Sequence, residues 1–507
     1  MKAPKLDTTL RLETDAIVIG AGGSGLAAAA TLAEKGLKVI MLEKQPKAGG
    51  TTPFAEGVVA AESPTQKRMN AVCSKDELFN NHMYYSHWTL NPRLVRSLID
   101  ISGDTVRWLE EKGIVFTLRG LHIAEAKDSP VKSSNQAGNL VFHVPQNWGS
   151  AIVKVLAKEC VESGVQIIYQ ARATKLLTDK KNTVIGVKAK RKEQEITITS
   201  KSVVLATGGY GSSKKLMKKY CPGYNISNID NLSISGTHPG DRIRWVGNMH
   251  SGDGIEMAFD VGADSEGLGI LLMDGPNFVA GNHGWMLAMN PGAIRVNSNG
   301  ERFTAEDLGP FMSDNATLRQ PGQVCYTLFD EAFKQNIIKK GFGPISGGKY
   351  YHDASRIDED LDAAVQLNSC KVSNSWDDIA AWIKADPETL KASIVQYNHC
   401  CSIGHDDLFA KKAQLLIPLS TPPYYACRCY PGFLVTIGGI KINHRMEVLD
   451  KNQHPIKGLY AVGITAGGWS AATYNIGLPG AGCGFPIYGG RIAGGSVAKY
   501  ISEKYAV

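Results

Sequence analysis

Thr14-Asp15-Ala16-Ile17-Val18-Ile19-Gly20-Ala21-Gly22-Gly23-Ser24-Gly25, followed by an alanine-rich run to Gly36 and then Lys38-Val39-Ile40-Met41-Leu42-Glu43-Lys44, decides the fold. It reads as strand, glycine turn, helix and second strand, with an acid at the end of that strand. Gly20 permits the tight turn, Gly22 lets a pyrophosphate approach the backbone, and Gly25 lets helix and strand pack closely. Gly23 and Ser24 fall at the helix N-terminus, where free N–H groups and the positive dipole end suit phosphate. Glu43, 18 residues past Gly25, is placed to accept hydrogen bonds from an adenosine ribose.

The residues after Glu43 separate NAD from FAD. Lys44-Gln45-Pro46-Lys47-Ala48-Gly49-Gly50-Thr51-Thr52 is a basic residue and then a second glycine cluster ending in hydroxyls, a loop able to lie against a pyrophosphate and a flavin. Two later apolar strand runs end in small residues, Val203-Val204-Leu205-Ala206-Thr207-Gly208-Gly209 and Gly458-Leu459-Tyr460-Ala461-Val462-Gly463. Candidate cofactor contacts are therefore Gly20, Gly22, Gly23, Ser24, Gly25, Glu43, Lys44, Gly49, Gly50, Thr51, Thr52, Ala206, Thr207, Gly208, Gly463 and Gly480.

Further segments join these in order: Gly252-Asp253-Gly254-Ile255-Glu256-Met257-Ala258, Asn297-Ser298-Asn299-Gly300-Glu301-Arg302-Phe303 and Gly489-Gly490-Arg491-Ile492-Ala493-Gly494. Through most of its length the chain resembles the fumarate reductase and 3-ketosteroid dehydrogenase family of FAD flavoproteins. The resemblance implies an α/β fold with a Rossmann-like, glutathione-reductase-like FAD-binding domain and an inserted α+β cap domain. It also implies FAD and redox chemistry at a carbon–carbon bond. Some relatives attach the flavin through a histidine in the loop after Gly50; Thr51-Thr52-Pro53-Phe54 has none, so the FAD is expected to be noncovalent.

Composition agrees with a globular enzyme. The 507 residues exceed one ordinary core, and 43% hydrophobic with 20% charged residues excludes a disordered or fibrous chain. The net charge of +7 is modest at this length. The basic run at 188–192 is followed at once by Glu193 and Glu195 and reads as a hairpin edge, so no nucleic-acid partner is expected. The ten cysteines form no C-x-x-C pair and read as buried reduced thiols. No apolar run reaches the ~18 residues of a membrane span, and the first residues lack a signal-peptide core, so a cytoplasmic enzyme without a membrane span is expected.

Helical periodicity runs from Asn91 to Leu109, a helix is expected from Gly149 to Glu162, and a strand from Val165 to Tyr169. Between about Gly269 and Tyr430 short strands, turn formers and a polar helix-like stretch from Asp377 to Tyr397 suggest the cap. The expected division is residues 1–268, 269–432 and 433–507, the first and last forming the FAD-binding domain.

Substrate residues are read against the resemblance. In its dicarboxylate branch, arginines hold the substrate and one donates a proton; here Pro310 stands at the acid position, and Tyr474 or Gly477 stands where a carboxylate-binding arginine would be. Leu434-Val435 precede Thr436-Ile437-Gly438-Gly439, so the histidine found there in relatives is also missing. The segments Pro310-Phe311-Met312 and Tyr474 with Pro479-Gly480-Ala481-Gly482 are closer to the ketosteroid dehydrogenases. That likeness implies that the Tyr474 phenol and the Gly480 N–H polarise a substrate carbonyl while hydride moves to or from flavin N5. Phe311 and Tyr430 complete the expected pocket. Phe311 takes the place of the proton-abstracting tyrosine and cannot move a proton, which leaves Tyr425, Tyr430 or Ser313 as alternatives.

The leading expectation is an enzyme that forms or reduces a C=C bond next to a carbonyl in a largely apolar, cyclic ketone or steroid-like substrate, with an unidentified electron acceptor or donor. The alternatives are a fumarate-reductase-like reductase of an unsaturated acid and a noncatalytic flavoprotein. Glu306 and Asp307 are expected to cap or pair within the cap, and His238 and His250 to be structural or exposed.

Overall fold

The computed structural model describes residues 10–119, 140–226, 249–278, 282–345, 349–351 and 354–505. His238 lies outside the described residues. An eight-stranded sheet forms the larger layer. Its strands run in the order Glu447–Leu449, Pro455–Ala461, Gln194–Leu205, Leu10–Ile19, Val39–Glu43 and Gln166–Tyr169. The central pairs are parallel, with Ile17 opposite both Ile40 and Val203, and Leu459 opposite Val203. A parallel strand flanked on each side is covered on both faces, which is why residues 16–19 and 39–42 are continuous apolar runs and fully buried. The antiparallel strand Val184–Arg191 turns at Lys192 into Gln194–Leu205, the hairpin expected from the basic run.

The helix Gly23–Glu34 is buried from Gly23 to Leu32 and packs against the helices Trp148–Glu162 and Ala481–Tyr505. Its alanines, and Gly490 opposite, let the two backbones meet. A Cβ at Gly490 would lie 2.2 Å from the Ser24 carbonyl oxygen. The helical periodicity at 91–109 resolves into two helices, Pro92–Asp100 and Ser102–Glu111.

A second, antiparallel sheet of five strands joins Leu271–Phe278, Tyr424–Thr436, Cys325–Asp330, Ile294–Val296 and Cys370–Ser373. Helices Glu331–Lys340, Ile357–Gln366, Trp376–Ile383 and Pro387–Ile403 accompany these strands. The expected single helix at 377–397 is broken where Lys384 takes a left-handed conformation, and Asp386 then caps a new helix by accepting the Thr389 N–H at 2.9 Å. The long strand Tyr424–Thr436 runs through position 432 because it pairs with Leu271–Phe278 as far as Leu271 opposite Thr436. Beyond it, Ser265–Glu266 pairs with Gly439–Ile440.

Inside this second unit Arg302 is bound by Glu306 at 3.0 Å and Asp406 at 2.9 Å, and Lys411 reaches Glu306 at 3.2 Å, all four buried. Buried charges persist only when paired, so Glu306 serves the fold. Asp307 accepts the Lys412 N–H at 3.2 Å. No helix among the described residues is long and apolar enough to cross a membrane.

Candidate active site and cofactor cradle

The C-terminal ends of the parallel strands gather the sequence-picked segments into one crevice. Gly20 follows the first strand with φ of 106°, and a Cβ on it would strike the Ala206 carbonyl oxygen at 2.3 Å. The second glycine loop folds back over the first: Gly22 bridges Gly49, the Gly49 N–H donates to the Ala21 carbonyl at 2.8 Å, and the Gly23 N–H donates to Thr52 Oγ1 at 3.0 Å. A Cβ on Gly25 would lie 1.9 Å from the Gly20 carbonyl oxygen, whereas a Cβ on Gly22 finds no such crowding, its nearest atom being the Gly49 oxygen at 3.9 Å. Gly25 is thus required by packing. Gly22 faces open space at a helix N-terminus, and that shape fits a pyrophosphate.

Glu43 ends the second strand, buried, with Oε2 accepting the Ala21 N–H at 2.8 Å and Oε1 accepting the Gln45 N–H at 2.7 Å. Burial pushes its carboxyl above the usual range against the pull of those two amides. Each oxygen keeps further acceptor capacity for a ribose hydroxyl. Lys44 turns to Ser251 Oγ at 2.5 Å and to Asp253 at 3.4 Å, and Arg172 also holds Asp253, at 2.7 Å. Burial acts upward on the Asp253 carboxyl, but Arg172 and Lys44 outweigh it and hold it low.

On the other side, Thr465 Oγ1 accepts the Gly208 N–H at 2.8 Å, and Ser24 packs where a Cβ on Gly463 would fall. His250 is buried, with Nδ1 accepting the Gly209 N–H at 3.0 Å; burial, with Lys44 nearby, pushes its imidazole down to about 4. Thr465, Ser251, Asp253 and Arg172 were not named as site residues from the sequence. Asp253 and its neighbour Ser251 fall in or beside the segment Gly252–Ala258, and Thr465 lies two residues after Gly463, while Arg172 carried no local signal.

The expected substrate residues lie where residues 467–480 meet the second unit. The Phe311 and Tyr474 rings stand 6.0 Å apart between centroids, tilted by 40°, and Leu272 approaches Gly482 beside the Tyr474 ring. The Tyr474 hydroxyl accepts the Gly482 N–H at 3.2 Å and donates to the Leu478 carbonyl at 3.3 Å. The amide that hydrogen-bonds the phenol is therefore that of Gly482. Gly480 instead has φ of 84° and turns the chain into the last helix, its carbonyl accepting from Cys483 and Gly484. Burial pushes the Tyr474 phenol up to about 12, opposed by the amides of Gly482, Ala481 and Gly480.

The proton-moving alternatives separate. Ser313 is fully buried and accepts Arg295 Nη1 at 2.9 Å, while Tyr425 donates to Glu331 and stacks on Phe329 in the core of the second unit. Neither reaches the crevice. Tyr430 is half-buried on the five-stranded sheet, in register with Asn277.

A doubly wound sheet with a glycine cradle, an acid at the second strand and a second unit over the strand ends defines an FAD-dependent oxidoreductase. The chain belongs to the FAD binding domain family, whose model matches residues 15–483. It is 27% identical over 511 residues to a vinyl phenol reductase of Lactiplantibacillus plantarum, covering 97% of this chain and 98% of that one. It is also 27% identical to a cytochrome fumarate reductase of Shewanella frigidimarina, over 96% of this chain and 77% of that one. Among solved structures, a 3-ketosteroid-delta4-(5alpha)-dehydrogenase from Rhodococcus jostii RHA1 superposes with a TM-score of 0.72 at 22% identity, covering 98% of each chain.

Proposed function

We infer that this FAD-dependent oxidoreductase of C=C bonds acts on a largely apolar, uncharged ring substrate whose double bond is conjugated to a ketone or to a phenol ring. One observation carries the reading. The two segments that meet at the crevice, residues 305–318 and 466–482, contain no arginine or lysine, and they present Phe311 and Tyr474 instead. A dicarboxylate held there would find no charge-assisted contacts from these two segments to offset its desolvation. The vinyl phenol reductase, similar over nearly its whole length, supports a neutral aromatic alkene, and the steroid dehydrogenase shares the fold.

Bound FAD supplies the hydride acceptor or donor. Gly22, Gly23, Ser24 and Gly25 would hold its pyrophosphate with Gly49, Gly50, Thr51 and Thr52, and Glu43 its ribose. Ala206, Thr207, Gly208 and Gly463 would line the strand ends beneath it. Tyr474 would polarise the substrate. Its bond to Leu478 is long for O–H to oxygen, which usually lies near ~2.7–2.8 Å, so a substrate oxygen can take that proton while the Gly482 N–H keeps the phenol aimed. Phe311 and Leu272 exclude water, which strengthens the same hydrogen bond. Difference absorption spectra of the oxidised holoenzyme test the reading. Neutral ring ketones and vinylphenols should perturb the flavin band at micromolar to millimolar concentration, and perturbation by fumarate alone would overturn it.

A further inference from the structure

The helix Lys75–Tyr85 lies outside every segment assigned above, yet its side chains hold the substrate loop. His82 is buried, and its Nε2–H donates to the Trp469 carbonyl at 2.8 Å, leaving Nδ1 to accept from Asn475 at 3.3 Å. Asn81 accepts from the same Asn475 amide at 3.3 Å. Three residues further along the helix, Tyr85 donates to the Tyr474 carbonyl at 3.0 Å.

Asn315 Nδ2 in turn donates to Thr473 Oγ1 at 3.0 Å, one residue before the Tyr474 carbonyl that Tyr85 holds. Asn315 stands one turn after Phe311 on the helix Pro310–Thr317, so a single face of that helix touches both the Thr473 hydroxyl and the Tyr474 ring. The result is two clamps on adjacent residues, Asn315 on the Thr473 hydroxyl and Tyr85 on the Tyr474 carbonyl, which tie together three elements distant in sequence.

We propose that Tyr85 is a positioning residue that couples the helix Pro310–Thr317 to the Tyr474 loop, so that the phenol reaches its working position only when the second unit is seated. This rests on the reading of Tyr474 as the residue that faces substrate. The geometry favours coupling over simple anchoring because the two bonds hold adjacent residues of one loop, so that releasing Tyr474 also loosens the Thr473 contact with Asn315. Burial pushes the Tyr85 phenol up, so it stays a neutral donor.

The test is hydrogen exchange on full-length, FAD-loaded protein, comparing wild type with Tyr85→Phe. Peptides covering 310–318, which Tyr85 does not touch, should open about fivefold more readily, as should those covering 468–480, the equivalent of ~1 kcal/mol for one lost hydrogen bond. Peptides at 17–27 should be unchanged. Thr473→Val removes the Asn315 clamp on the neighbouring residue and serves where Tyr85→Phe does not retain FAD. A change confined to 468–480 overturns the coupling. In turnover, Tyr85→Phe should lower kcat with KM held, for whichever ring alkene reoxidises the flavin, and leave reoxidation by ferricyanide as in wild type; equal losses with both acceptors also overturn it. Tyr474→Phe separates the two ideas: normal alkene turnover in that variant removes the catalytic reading, while the exchange pattern still decides the coupling.

Discussion

The Tyr474 hydroxyl oxygen lies 3.2 Å from the Gly482 amide nitrogen, so a phenol from one loop caps the start of the helix Ala481–Tyr505. On the proposed reading, a substrate carbonyl that takes the phenol proton from Leu478 would sit at a helix N-terminus, where phenol and helix dipole both favour negative charge on its oxygen.

Removing that donor should be costly to chemistry and cheap to the fold. Tyr474→Phe keeps the ring against Phe311, so FAD loading and melting temperature should stay near wild type, while flavin reoxidation by a ring alkene falls roughly 10²–10³-fold. Stopped-flow traces of both proteins give the answer, and a loss under about fivefold, ~1 kcal/mol, would leave the phenol a loop-steadying role only. Because that phenol is held up to about 12, it remains protonated through neutral pH, and no activity limb between pH 6 and 9 should disappear in the variant.

Gly22 and Gly25 should fail differently. Gly22→Val places its side chain in open space over the helix mouth, so the protein should fold and purify without flavin. Gly25→Ala would put a Cβ 1.9 Å from the Gly20 oxygen and should destabilise the fold itself. Circular-dichroism melts and flavin content of both variants check this; a fully loaded Gly22→Val protein would end the reading of Gly22 as a pyrophosphate contact.

Acid precipitation should release the flavin into the supernatant, because Thr51, Thr52, Pro53 and Phe54 offer no histidine for attachment. Colour kept in the washed pellet would show a covalent bond.

Stability should fall on mild acidification. His143 is buried between Ser63 Oγ at 2.6 Å and the Val141 carbonyl at 2.8 Å, and burial pushes its imidazole down to about 4, as it does for His250. A base whose pKa drops on folding contributes stability that is complete above its unfolded value, about 6.5, and is lost as the pH falls toward 4. Each such group can remove up to ~1.4 kcal/mol per pH unit inside that window. His143→Gln keeps a donor and an acceptor without titrating, so thermal melts from pH 7 to 5 should decline less steeply for the variant; parallel declines would count against this assignment.

The cradle was legible because backbone demands are local: Gly20 and Gly25 stand where any side chain would strike a neighbouring carbonyl, and Glu43 ends a buried strand at a fixed distance from them. Tyr474 and Phe311 were named through the resemblance to the ketosteroid dehydrogenases, and their rings do meet. Which amide meets the phenol could not be read. The turn at Gly480 rotates the next residues, and it is the Gly482 N–H that reaches back across the loop. Tyr85, Thr473 and Asn315 were invisible for the same reason, since their partners lie up to 389 residues apart and no spacing encodes them. The helix break at Lys384 was missed because a lysine in the left-handed region has no signature like that of glycine.

Anaerobic stopped-flow reoxidation of the reduced holoenzyme, with 4-vinylphenol, conjugated cyclic ketones and fumarate as competing oxidants, weighs the neutral-substrate reading against the dicarboxylate one. A neutral ring alkene should reoxidise the flavin at about 1 s⁻¹ or faster, in the ordinary range of enzyme turnover, with fumarate at least ~10²-fold slower for want of charge-assisted contacts worth about 1.5–3 kcal/mol each. Fumarate reoxidising the flavin as fast as the ring alkenes would contradict it.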